Sequence, residues 1–302
     1  MNSFYNNYKF VREDSEKEFS FSHLIDTDGF TMDFHSHNFI EVYLSVSGGD
    51  HFIIDNKIYE IEPGDLFVSN PNEVHRVIAK ENEVYERYVF EFKPTFILPY
   101  CTKNTDLLHY VYRREDGFSN KISLNTADHK TFLLLIEKYE TLSDTDYGND
   151  VLRELYYLEM LTFVAIIYHT SPQNNPEQLH DNNAMNIIAE TLEYISSNLK
   201  NDLSLDKISS NIGLSKYHLC KIFKDKTGTT INKYIISRRI AEAKTILASG
   251  QSVTDACHES GFKDVSHFVR TFHNVVGVSP GKYSIDTIQG NSYYKGAEIS
   301  NK

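Results

Sequence analysis

A helix-turn-helix pattern written twice near the end of the chain constrains the fold more than any other feature. The first copy runs from Ser209 through Gly213, Leu219 and Phe223 to Gly228, and the second from Cys257 through Gly261, Phe268 and Phe272 to Gly277. The turn glycines lie 48 positions apart and the closing Phe and Gly pairs 49 apart, so the second turn carries one extra residue. Each copy has a small residue, Ser209 or Cys257, four positions before its glycine, which lets two helices approach closely. The glycine then supplies the positive φ of a tight turn, and an amphipathic helix follows. The stretch between the copies, Thr230 to Ala248, reads as one helix of about 28 Å.

Charge is segregated along the chain. Overall the formal charge is −12, yet Leu205 to Ser284 holds 12 Lys/Arg against 6 Asp/Glu, and residues 1–204 hold 16 basic against 34 acidic groups. The duplicated region is therefore suited to phosphate, while an acidic remainder weakens indiscriminate binding to it. No run of 18 apolar residues exists, and the first residues lack the basic-then-apolar order of a secretory leader. Three scattered cysteines, Cys101, Cys220 and Cys257, argue for reduced thiols rather than a disulfide or zinc framework. A cytoplasmic protein with no membrane partner is expected.

The pattern predicts an α+β protein of two domains. Between about Phe19 and Phe92, short β-rich runs such as 41–46, 51–54, 57–61, 66–69 and 85–92 alternate with turn residues, which suggests an antiparallel barrel or sandwich. Residues 127–142 and 150–169 then read as a helical pair. The expected divisions are a first domain at 1–172, a polar linker at 173–184, an all-helical domain at 185–284 and a tail at 285–302.

In the duplicated region, the second helix of each unit needs core anchors on one side and free groups on the other. Leu219, Ile222 and Phe223 anchor the first, leaving Lys216, Tyr217, Cys220 and Lys221 outward with Lys224 near the helix end. Phe268 and Phe272 anchor the second, leaving Val265, Ser266, Val269 and Arg270 outward. Two such helices entering successive major grooves must be held about 34 Å apart. Arg270 suits a bidentate contact to guanine, Val265 and Val269 suit thymine methyls, and the lysines suit phosphate. Equally, outward Lys and Arg occur on many solvated helix faces.

Residues 186–283 closely resemble the AraC/XylS family of bacterial transcriptional regulators. The most specific stretch is Gly261-Phe262, Phe268-x-Arg270-x-Phe272 and Gly277-x-Ser279-Pro280-x-x-Tyr283, although Ser284 stands where the family usually has Arg. The resemblance implies one polypeptide that inserts two recognition helices into adjacent major grooves of promoter DNA. It also implies that Arg238 and Arg239 lie near the DNA backbone or brace the two halves.

Upstream, Gly29, His35, His37, Glu41 and Gly48 have the spacing of the first cupin motif. Residues 35, 37 and 41 share parity, so on one strand they face the same side, and His75 offers a further group from a facing strand. Three imidazoles and a carboxylate suit Fe, Mn, Ni or Zn. The second cupin motif is imperfect: Pro71 to His75 lacks its glycine and is one residue short. In sensor domains that this one resembles, metal chemistry is generally absent. Neither metal nor cofactor is therefore expected, and His35, His37, Glu41, His75 and Tyr43 become candidates for ligand binding, with structural histidines as the plain alternative.

These readings converge on a non-enzymatic, ligand-responsive regulator of transcription with a cupin-like barrel. Its expected partners are promoter DNA, a small molecule (a carbohydrate is favoured), a second copy of the chain, and RNA polymerase if it activates. The alternatives are a metal-dependent cupin enzyme fused to a DNA-binding module, and a regulator whose barrel is filled by its own side chains.

Overall fold

A computed structural model describes residues 18–27, 32–80, 83–112, 114, 118–171 and 183–287. Gly29, nearly all of the expected linker and most of the expected tail lie outside these residues. The first domain holds β1 (Phe19–Asp26), β2 (Ile40–Ser47), β3 (His51–Ile54), β4 (Lys57–Glu60), β5 (Asp65–Ser69), β6 (His75–Ile78) and β7 (Tyr85–Phe92). Two helical turns, α1 (Pro94–Ile97) and α2 (His109–Tyr112), follow, then β8 (Lys121–Ser123) and the long pair α3 (Thr126–Glu140) and α4 (Asn149–Thr170).

All strand pairs are antiparallel, in a five-stranded sheet of order β1-β7-β2-β5-β8 and a three-stranded sheet of order β4-β3-β6. The expected antiparallel barrel or sandwich takes the form of two facing sheets that, among the described residues, do not close into one barrel. Four-residue strands leave the small sheet short, and it meets the large one through side chains rather than a shared hydrogen-bond ladder.

The pleat explains the layering. On β2, Ile40, Val42 and Leu44 point to the α3–α4 side, where they cluster with Phe132, Ile136, Tyr157, Leu161 and Val164. Between them Tyr43 points inward, against Phe52, Tyr59, Phe67 and Tyr85. On the small sheet, Phe52 and Ile54 also point inward. Ile53 and Ile58 point the other way, into a cluster with Met185, Ile188, Leu192, Ile231 and Tyr234 of the second domain. The small sheet is thus a wall shared by both domains.

The second domain is helical: α5 (Asn183–Ser197), α6 (Leu205–Ile212), α7 (Lys216–Thr227), α8 (Ile231–Ala248), α9 (Val253–Glu259) and α10 (Val265–Val276). Each of the last five begins at a capping side chain. Ser204, Ser215, Thr230, Ser252 and Asp264 accept from Lys207, His218, Lys233, Asp255 and His267 backbone N–H groups. Caps of this kind stabilise a helix by about 1 kcal/mol each and set where it starts. Among the described residues, no helix is long and apolar enough to cross a membrane.

Candidate functional site

Two sites emerge, one on the helical domain and one between the sheets. On the helical domain the two units form as the repeat predicts. Gly213 ends α6 at φ 76° and Gly261 follows α9 at φ 92°, turning the chain into α7 and α10. Leu219, Phe223 and Thr227 bury one side of α7, and Phe268 and Phe272 bury one side of α10.

Lys216, Tyr217, Lys221 and Lys224 are exposed on α7, as are Ser266 and Arg270 on α10. Cys220, Val265 and Val269 are half-buried and pack against the cores beneath them. Lys216 also pairs with Asp206 at 2.8 Å. His267 and His273 are exposed on α10 too. The 49-residue offset pairs them with His218 and Lys224, and a selection that favoured Lys, Arg and apolar contacts passed the histidines over.

Arg238 lies elsewhere than the resemblance implies. Its side chain is only 14% exposed and forms an ion pair with Asp55 of the first domain. Burial pushes the Asp55 carboxyl up to about 6 even with Arg238 beside it. Its neighbour Arg239 is a brace: it donates to the Leu199 and Asn201 carbonyls at 3.2 and 3.0 Å. A Cβ at Gly261 would strike the same Leu199 carbonyl, so the second turn presses directly on the loop between α5 and α6 that leads into the first unit.

Further contacts join the domains around Asp55. Tyr234 donates to the Asp55 carbonyl at 2.7 Å, and Asn56 to the Glu193 carboxylate at 2.5 Å. Lys233 pairs with Asp33 at 3.4 Å, and the Phe34 and Tyr234 rings lie 4.7 Å apart. Arg76, buried on the small sheet, reaches Asp33 at 3.6 Å and presses on Gly228 at the end of α7. A cation there complements the negative end of the helix.

The second site gathers His35, His37, Glu41 and His75. Glu41 comes from β2 and His75 from β6, and His35 joins the small sheet by backbone pairing with His75. His37 Nε2 lies 3.3 Å from one Glu41 oxygen and His75 Nε2 lies 3.8 Å from the other. The three imidazoles stack edge-on, with ring centroids 4.2 Å apart for His35 and His75 and 4.9 Å for His37 and His75.

Charge in this cluster is shared unevenly. Burial opposes ionisation of Glu41, yet His75 and His37 hold its carboxyl down at about 2. Burial also opposes protonation of His37, but the Glu41 hydrogen bond and charge outweigh it and raise the imidazole. His35 is lowered well below its ordinary value by burial and by His75 and His37. His75 is lowered by burial, against the pull of Glu41. Glu91 from β7 lies beside His37 and Glu41 and was not legible from motif spacing.

Tyr43 sits apart from this cluster. It is 2% exposed, and its hydroxyl is 2.5 Å from that of Tyr85. Phe52 stands between the two groups, 5.3 Å from the Tyr43 ring and 6.0 Å from the His75 ring.

Comparison with known proteins agrees with both halves. An AraC-like ligand binding domain matches residues 22–154, and a helix-turn-helix domain matches residues 208–284. The Multiple antibiotic resistance protein MarA of Salmonella typhimurium is 37% identical over 108 residues, which are 35% of this chain and 85% of that protein. An uncharacterized HTH-type transcriptional regulator of Bacillus subtilis, YbfI, is 25% identical over 246 residues, or 77% of this chain and 80% of its own. Among solved structures, ToxT from Vibrio cholerae aligns over 89% of this chain and 97% of that one, at 16% identity and a TM-score of 0.34. By its matched domains and its relatives, the chain belongs to the AraC family of DNA-binding transcriptional regulators.

Proposed function

We propose that this regulator changes its grip on promoter DNA when a small molecule engages the His35, His37, Glu41 and His75 cluster. The observation that carries this reading is the shared wall. Ile53 and Ile58 of the small sheet and Ile188, Ile231 and Tyr234 of the helical domain belong to one apolar cluster. A ligand that favours one arrangement of that sheet therefore favours one placement of the first helix-turn-helix unit. The chain acts by binding rather than by catalysis.

Among organic effectors we favour a carbohydrate. Glu41 and the imidazoles offer acceptors and donors to hydroxyl groups, and the Phe39 ring lies 6.3 Å from His37 as a flat apolar neighbour. Tyr43, bonded to Tyr85, is kept as a second-rank contact behind Phe52. Base and phosphate contacts are assigned to Lys216, Tyr217, Cys220, Lys221, Lys224, Val265, Ser266, Val269 and Arg270. A homodimer formed through the helical pair is supported by the exposed apolar residues Leu134, Val151, Leu155 and Ile166.

The test is selection from randomised duplexes by the full chain, followed by affinity measurement with a panel of sugars. One preferred site whose affinity changes with one sugar supports the reading, and sequence-indifferent binding overturns it. Transcription with purified RNA polymerase then gives the direction of regulation, and sedimentation of Leu155→Asp against the parent chain reads the dimer.

A further inference from the structure

We propose that His218 of α7 and His267 of α10 hold phosphates on two successive turns of the duplex, each as a protonated imidazolium donor. This goes beyond the base and phosphate contacts assigned above, and it rests on α7 and α10 being the helices that enter DNA.

The internal repeat carries the inference. At the 49-residue offset the outward positions of the two helices hold different residues: Lys216 corresponds to Val265, Tyr217 to Ser266 and Cys220 to Val269. Within the two helices, His218 and His267 are the one exposed pair that is identical. Two halves of a binding site present different bases, so positions that read bases have reason to diverge. The backbone presents the same charged group at every turn, and a side chain kept the same in both copies suits that invariant partner.

Local structure gives no other reason for the identity. Both histidines are third in their helices, and their backbone N–H groups are taken by the caps, Ser215 at 3.3 Å and Asp264 at 2.6 Å. A side chain at that position can serve the fold by reaching back to the N–H of the cap residue. Among the described residues neither imidazole does so. The His218 ring has no hydrogen-bond partner among them, and His267 Nε2 lies 3.4 Å from the Thr271 hydroxyl with its ring 5.9 Å from that of Phe262. Phe262 and Thr271 thus orient the second imidazole without burying it.

The electrostatic surroundings suit an anion. One turn beyond each histidine stands an exposed cation, Lys221 on α7 and Arg270 on α10. Charges on the elements packed against the two helices are largely engaged elsewhere. On α6, Asp206 pairs with Lys216 at 2.8 Å and Lys207 with Asp202 at 3.1 Å. On α5 and α8, Glu193 receives Asn56, Lys233 reaches Asp33 and Arg238 reaches Asp55. On α9, Asp255 accepts from Ser252 at 2.6 Å. Asp225 of α7, Glu190 of α5, Glu242 of α8, and His258 and Glu259 of α9 complete the set with Lys263 beside the cap, and among the described residues none of them bonds either imidazole. A phosphate only accepts, so each ring must donate, and the phosphate charge favours the imidazolium over the neutral ring. The complex then binds more protons than the free chain. Affinity from these two contacts is complete at low pH and declines as pH rises.

The experiment measures the affinity of the full chain for its selected duplex, without added sugar, from about pH 6 to about pH 8, where imidazole changes charge. We expect affinity to fall about tenfold across that range in the parent chain. His218→Gln and His267→Gln should each shrink the fall about threefold, and the double variant should bring it below about twofold. His258→Gln, on α9, should behave as the parent does. The Asp55 carboxyl, at about 6, is common to all of these chains. At about pH 6 each glutamine variant should also lower the salt slope by about 1 and weaken unrelated duplexes equally. Thermal melting confirms folding, and His218→Lys and His267→Lys, which keep a charge, should hold their affinity to about pH 8. A parent affinity flat with pH, a fall unaltered in the double variant, or a loss confined to one base pair overturns the proposal. Selective binding that persists in those cases leaves α7 and α10 as the reading helices, whereas sequence-indifferent binding by the parent overturns that reading instead.

Discussion

Tyr234 of α8 donates its hydroxyl to the backbone carbonyl of Asp55, whose carboxylate receives Arg238 from the same helix. One residue at a hairpin tip therefore holds two successive turns of the helix that joins the DNA-reading units. Asp55 adopts φ 53°, a left-handed conformation fixed by its N–H to the Val74 carbonyl at 2.7 Å and its carboxylate from Val74 N–H at 2.9 Å. Held by both bonds to Val74, the tip ties α8 to the small sheet.

Arg238→Ala should loosen the domains without touching the duplex. Removing one partner of a buried ion pair costs about 3–5 kcal/mol, scaled down here because Asp55 keeps partial access to water. Hydrogen exchange in α8 should rise while the salt dependence of DNA binding stays the same. A salt slope smaller by about 1 would instead place Arg238 on phosphate.

The Asp55 carboxyl predicts a pH dependence of docking. Its value of about 6 in the docked chain lies above the roughly 4 of a free Asp, so the docked state binds more protons between those limits. Docking stability from this group is then greatest below about pH 4 and falls as pH rises to about 6. Asp55→Asn should remove that slope, as read by protease resistance of the intact chain across this range.

Gly228 and Gly213 should respond differently to alanine. Both have positive φ, 66° and 76°, and each substitution loses about 1–2 kcal/mol from backbone strain. Nothing lies within 4 Å of a Cβ at Gly213, whereas at Gly228 it would meet the Arg76 guanidinium. Gly228→Ala should therefore lower the denaturation midpoint further and release the first domain. Equal effects would show that Arg76 yields without cost.

Arg270→Ala should lose about 1–3 kcal/mol at the preferred site and relax preference at one base pair. Lys224→Ala should weaken all duplexes alike and reduce the salt slope by about 1. Randomised-site selection and salt titration read the two effects separately.

The helical domain was almost wholly legible from sequence, because its determinants are local. Turn glycines, capping Ser, Thr and Asp, and anchors such as Phe223 and Phe272 each act within a few residues. The helical pair and β3, β5 and β7 were also legible, since apolar spacing and turn residues bracket them. Arg238 was not. What buries it is Asp55, which lies 183 positions earlier in the chain and carries no mark of its future partner. Whether the sheets close into a barrel was not legible, for a related reason. Alternation reports which face of a strand is apolar and says nothing about whether two short edges will meet. Motif spacing pointed to His35, His37, Glu41 and His75, and they do lie together, but not by parity on one strand: only Glu41 of the first three is on β2, while His35 pairs with His75, and the further candidate Tyr43 sits apart behind Phe52.

The partition formed by β3, β4 and β6 has a consequence for how such a regulator can diversify. Residues facing the large sheet alternate with residues bearing on α5 and α8, on a ribbon one peptide thick. A substitution that refashions the inner face for a new signal is expected also to tilt its immediate neighbours, and so to retune promoter affinity in the same stroke. Drift in signal and drift in target are thereby yoked, and lineages that change one without the other must compensate across that ribbon.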